Sequence, residues 1–176
     1  INGEFIGDAT EKLKINTRFG DHPEYSSILE QEIQGLIDNV GLESDRVKIE
    51  VGPPIGFYTH VPSILDSIRE VLQSMSKRTH KPNKIYIDLK KTEDDKIELT
   101  IYNKSKRGLH DEELDDRSFA KGKLLKVIHL TNGLCEYWIE GRLENGKGKM
   151  INMHNGRNVG VSDLKPGFAH RFIFIK

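Results

Sequence analysis

Glu70, Ser74 and Lys77 stand at i, i+4 and i+7 within Ser67-Ile68-Arg69-Glu70-Val71-Leu72-Gln73-Ser74-Met75-Ser76-Lys77-Arg78. At about 100° per residue they fall in one row along a helix. A carboxylate, a hydroxyl and an ammonium in such a row can orient a water, help hold a cation and meet a phosphate. The same row also describes a plain solvated face, because Ile64, Leu65, Ile68, Val71, Leu72 and Met75 form an unbroken apolar stripe opposite it. Other candidates are thinner. Gly141 to Gly148 comes within one residue of the phosphate-loop pattern G-x-x-x-x-G-K-[ST]. Gly148 replaces the hydroxyl residue, however, and a strand rather than a helix is expected to follow. Asn145-Gly146 reads instead as a hairpin turn. Cys135, the single cysteine, lies in a strand pattern beside Tyr137 and Ile139, where a small buried residue is the default. Trp138 falls on the other strand face with Glu136 and Glu140, where a contact point and a half-covered surface tryptophan are equal readings. The seven histidines show no ligand spacing, so no metal site is expected.

The elements that must position these residues follow from periodicity. Residues 1–20 carry no firm period and read as an arm or linker, with residues 21–176 as the domain. Asp21 and Glu24 form a variant capping box ahead of a helix whose Ile28, Leu29, Ile33, Leu36, Ile37 and Val40 recur at helical spacing, and Gly41 stops it. Arg46 to Val51 alternates as a strand covered on one face. Pro62 suits the first turn of a second helix running to about Thr79. Lys84 to Lys90 and Lys96 to Tyr102 alternate around Thr92-Glu93-Asp94-Asp95 and predict a hairpin. Ser105 to Gly122 is polar and reads as a long loop. Lys123 to Leu130 is a short apolar helix closed by Asn132-Gly133. Strands are expected at Leu134 to Glu140, Lys149 to Met153 and His170 to Lys176. The expected fold is an α/β two-layer sandwich, its mixed and mostly antiparallel sheet covered on one face by about three helices.

Composition narrows the function classes. The chain has 176 residues, 36% hydrophobic and 31% charged, which fits one globular domain. Acidic and basic residues balance at 27 each, so no net field recruits nucleic acid. No run of about 20 apolar residues is present, so no membrane contact is expected. The lone cysteine excludes an internal disulfide and suits a reducing, cytoplasmic compartment.

The Ser67–Arg78 stretch resembles the N box of the gyrase, heat-shock-protein and histidine-kinase (GHKL) ATPases. It is closest to the C-terminal ATP-binding domain of sensor histidine kinases, whose helix reads roughly R-E-x-L-x-N-A-x-K-H. Arg69, Glu70, Leu72 and Lys77 match, while Ser74 stands where the family has its magnesium-coordinating asparagine. The likeness extends through the hairpin, the lid-like loop and the closing strands. The family's D-x-G, whose aspartate bonds the adenine amino group, corresponds to Asn103-Lys104-Ser105. Asn103 loses the charge-assisted bond, and Ser105 adds a Cβ where the backbone approaches the base. The second glycine box has its nearest counterpart in Gly122-Lys123-Leu124, short of a glycine. Asp111, Glu112, Glu113, Asp115 and Asp116 put acid in the lid where nucleotide phosphates would lie, among Lys104, Lys106, Arg107, Arg117 and Lys121.

The resemblance implies a degenerate nucleotide domain, a pseudokinase-like regulatory or interaction module of signal transduction, with no cofactor. Its implied partners are signalling domains, either dimerisation helices or a response regulator. The alternative is a working domain that binds Mg-ATP and phosphorylates a histidine on a separate dimerisation domain. There Glu70 would orient a water as the catalytic base, and Ser74, Lys77, Asn103, Ser105, Gly122, Lys123 and Leu124 would line the nucleotide site.

Overall fold

The computed structural model describes residues 25–53, 56–57, 59–104, 123–142, 147–162 and 167–174. The capping box at Asp21–Glu24, the arm, the acidic loop, Ser105 and Gly122 lie outside them. Among the described residues there are three helices, α1 (Tyr25–Asn39), α2 (Val61–Arg78) and α3 (Lys123–Thr131). There are seven strands, β1 (Val47–Val51), β2 (Ile85–Lys91), β3 (Ile97–Asn103), β4 (Cys135–Arg142), β5 (Lys147–Asn152), β6 (Asn158–Ser162) and β7 (Gly167–Phe174).

The strands form one sheet in the order β1-β2-β3-β7-β4-β5-β6. Only β1 and β2 run parallel, and the other pairs are antiparallel. The expected mixed, mostly antiparallel sheet with three helices is therefore the observed one. Gly41 and Gly133 take positive φ (76° and 79°) just after α1 and α3, as helix stops do. Pro62 sits in the first turn of α2, and Lys77 and Arg78 lie at its C-terminal end, where cations suit the helix dipole.

Helical spacing puts Ile64, Ile68, Val71, Leu72 and Met75 on the sheet side of α2, where all five are fully buried. Each such burial is worth about 1.5–3 kcal/mol over exposure. They meet Leu29, Ile33, Leu36 and Ile37 of α1 and the inward residues of β2, β3, β4 and β7 in one cluster. Tyr137 and Phe172 stack at its centre, with rings 4.9 Å apart.

The opposite sheet face departs from the simple alternation. Glu98, Thr100, Trp138, Glu140 and Asn152 are buried there, so these strands are covered on both sides. Trp138 is 4% exposed rather than half-covered. Its indole Nε1 donates to Glu136 Oε1 at 3.0 Å, and the Arg157 guanidinium lies 4.9 Å over its ring. Arg171 of β7 explains the buried acids. Its Nη1 donates to Glu98 Oε2 at 2.6 Å and its Nη2 to both oxygens of Glu140 at 3.3 Å. Burial would lower the Arg171 pKa, but the flanking Glu140 and Glu98 raise it on balance. Hydrophobic alternation cannot foresee this, because a paired charge passes for a solvated one in sequence.

Candidate functional site

The row Glu70, Ser74, Lys77 does not form an open polar face. α3 packs against α2 and covers its N-terminal member. Glu70 is buried, its Oε1 is 3.7 Å from Lys126 Nζ, and its Oε2 is buried with no hydrogen-bond partner. Ser74 is half-buried and Lys77 is exposed, so the row grades from interior to solvent. Leu124 of α3 is buried in the apolar core.

Asn103 ends β3 on its helix-facing side, against the C-terminal end of α2. It is fully buried. Its Nδ2 donates to Thr79 Oγ1 at 3.1 Å, and its Oδ1 accepts from the Phe168 N–H at 3.2 Å. Thr79 is itself tied down, since its main-chain oxygen accepts from Arg46 Nη2 at 2.7 Å. The start of β7 closes the same point. Gly167 takes φ +126°, and a Cβ there would lie 2.5 Å from the Asn103 carbonyl oxygen, so only glycine fits. Phe168 is buried with the Arg78 guanidinium 6.0 Å over its ring. One asparagine thus joins the end of α2, the end of β3 and the start of β7.

Lys104, next in the chain, turns the other way. Its ammonium sits 4.3 Å over the Tyr86 ring, which stacks on Tyr102 at 5.2 Å. Tyr86 and Tyr102 are outward residues of β2 and β3, so this lysine serves the face opposite the helices.

Beyond the junction, His170 is buried with Tyr137 Oη 2.8 Å from its Nδ1. Its pKa is lowered to about 3, first by burial and then by the Arg78 charge. Cys135 is buried, and its thiol is pushed up to about 12, chiefly by burial, so it is no nucleophile. Among the described residues no group of three or more His, Cys, Asp or Glu is placed to hold a metal, and no helix is long and apolar enough to cross a membrane.

Mg-ATP is the ligand that histidine-kinase ATP-binding domains use in general, and two of the positions that the resemblance assigns to it are constrained here. The acceptor at 103 has no exposed surface and is engaged from two sides, while the hydroxyl at 74 is shorter than an asparagine carbonyl. The sequence pointed to Asn103 but missed Thr79, Arg46, Gly167, Phe168 and Lys126, which make or close its surroundings. Only Gly167 carried a readable signal, and that signal was weak.

Solved structures share the fold. The catalytic domain of histidine kinase ThkA superposes with a TM-score of 0.55 at 13% identity, covering 91% of this chain and 95% of that one. The mycobacterial sensor histidine kinase MprB gives 0.51 at 14% identity, covering 85% and 93%. The histidine kinase domain of the Erythrobacter litoralis EL346 blue-light activated histidine kinase gives 0.54 at 11%, covering 85% of this chain. The chain spans 59% of the length of that EL346 domain and 41% of the longer EL346 kinase chain. No curated protein matches the sequence. Residues 7–167 match the family described as a histidine kinase domain observed in conflict contexts, and the chain belongs to that family of histidine-kinase-type signalling domains.

Proposed function

We propose that this domain is a degenerate histidine-kinase-type ATP-binding domain acting as a regulatory or protein-interaction module in signal transduction. The observation that carries the reading is the engagement of Asn103. At the position corresponding to the adenine-binding aspartate, the side chain is wholly buried and bonded to Thr79 and to the Phe168 N–H. A base could reach it only by opening the junction of α2, β3 and β7. Ser74, in place of the magnesium-binding asparagine, supports the same reading. Partners are then signalling domains, dimerisation helices or a response regulator, in the conflict setting that the family description names.

The competing reading, a working ATP-binding domain, draws on Glu70. Its buried Oε2 without a hydrogen-bond partner is the kind of atom that could orient a water. Calorimetric titration with ATP, with and without magnesium, separates the two. The expected outcome is no magnesium-dependent binding tighter than about 1 mM, equivalent to roughly −4 kcal/mol. A micromolar Mg-ATP affinity would establish the working domain instead.

A further inference from the structure

The β5–β6 hairpin is inserted between two paired strands. β4 and β7 flank it in sequence and pair directly with each other from Cys135↔Phe174 to Arg142↔Gly167. The hairpin is hung on the far edge of β4, and β6 ends the sheet. Among the described residues β6 pairs with β5 alone.

Among the described residues this edge lacks the usual protection. Exposed edge strands are normally blunted by charge, proline or a bulge, because open main-chain groups invite pairing. Asn158-Val159-Gly160-Val161-Ser162 contains no charge and no proline. Asn158, Val159 and Gly160 are exposed, Val159 to 41%, and a Cβ at Gly160 would meet nothing within 4 Å. The Asn152 N–H donates to the Arg157 carbonyl at 2.8 Å. Main-chain bonding alternates along an antiparallel ladder, so the N–H and C=O of Gly160 turn away from β5.

The five residues also read almost the same in either direction. An antiparallel two-fold about Gly160 sets Gly160 on its copy, Val159 on Val161 and Asn158 on Ser162. Val159 and Val161 lie opposite Met150 and Gly148 of β5 on one sheet face. The two-fold therefore builds a pair of Val–Val contacts on that face, of the β-branched kind that stabilises cross-strand neighbours. Equal numbers of acidic and basic residues leave no net repulsion between copies.

We propose that β6 is a homodimerisation edge, joining the sheets of two copies of this chain through an antiparallel two-fold centred on Gly160. Self-complementarity is what an isologous contact requires and what a foreign strand would not need. The inference is independent of nucleotide binding.

Light scattering and sedimentation of the purified chain, from micromolar to submillimolar concentration, test it. The wild type is expected at about twice the mass of its 20.1 kDa chain. Gly160→Glu and Gly160→Lys each place a like charge against its own copy and are expected to be monomeric. Both should fold, as far-ultraviolet circular dichroism would verify, because the new side chain enters open space. Mixing the two variants is expected to recover the dimer mass, since the opposed charges become unlike. A monomeric wild type overturns the proposal and leaves the edge to an extended segment of a different protein. A dimer retained by both single variants overturns it by placing the contact elsewhere. Monomeric variants that do not reassociate on mixing overturn the two-fold register.

Discussion

At the scale of single residues, the polar atoms inside the domain serve the fold. Asn103 uses donor and acceptor together, and Gly167 is required by the close approach that follows. His170 shows the same logic with a titratable ring. Its pKa lies near 6.5 in the unfolded chain and is lowered to about 3 in the fold, first by burial and second by Arg78. Between these values the unfolded chain binds a proton that the folded chain refuses. Stability must therefore fall as pH drops through that window, and above it His170 adds no pH dependence. Thermal melts of wild type and His170→Gln from about pH 7 to about pH 4 should show the difference moving in the variant's favour as pH falls. A difference that stays constant would contradict a neutral buried His170.

At the scale of elements, α2 and β7 carry the most. α2 lays an apolar stripe on the sheet, holds Glu70 beneath α3 and delivers Thr79 to the junction. β7 lies between β3 and β4 and faces both ways. Phe168, His170, Phe172 and Phe174 enter the helix-side core, while Arg171 gathers Glu98 and Glu140 on the other face. Arg171→Met removes the one cation of that triad and leaves two buried carboxylates without it. Because such losses leave uncompensated charge, chemical denaturation should report a cost of about 3–5 kcal/mol. A cost under about 1 kcal/mol would reduce the triad to an ordinary surface pair.

At the scale of the whole molecule, one apolar cluster draws on α1, α2, α3 and strands from both halves of the sequence. β3 near the middle and β7 at the end are neighbours, so neither half completes the sheet alone. Unfolding is expected to be a single cooperative transition. Trp138 reports from the face opposite the cluster, so its fluorescence and far-ultraviolet circular dichroism should give coincident denaturation curves. Separate midpoints would mean that the two sheet faces fail independently.

The sequence by itself determined the elements that repeat a local rule. The stripe of α2, the β2–β3 alternation and the glycine stops are each written within a few neighbouring residues, and the GHKL likeness follows from their order. β6 escaped notice because two valines around a glycine carry too little alternation to separate a strand from a loop. The candidate site was legible as positions but not as environments. Glu70 passed for solvated, Trp138 for half-covered and Asn103 for an available acceptor. Their actual states depend on Lys126, Arg157, Thr79 and Phe168, which lie from 19 to 65 positions away. Burial and hydrogen-bond satisfaction are properties of such long-range neighbours, and only the tertiary structure could decide them.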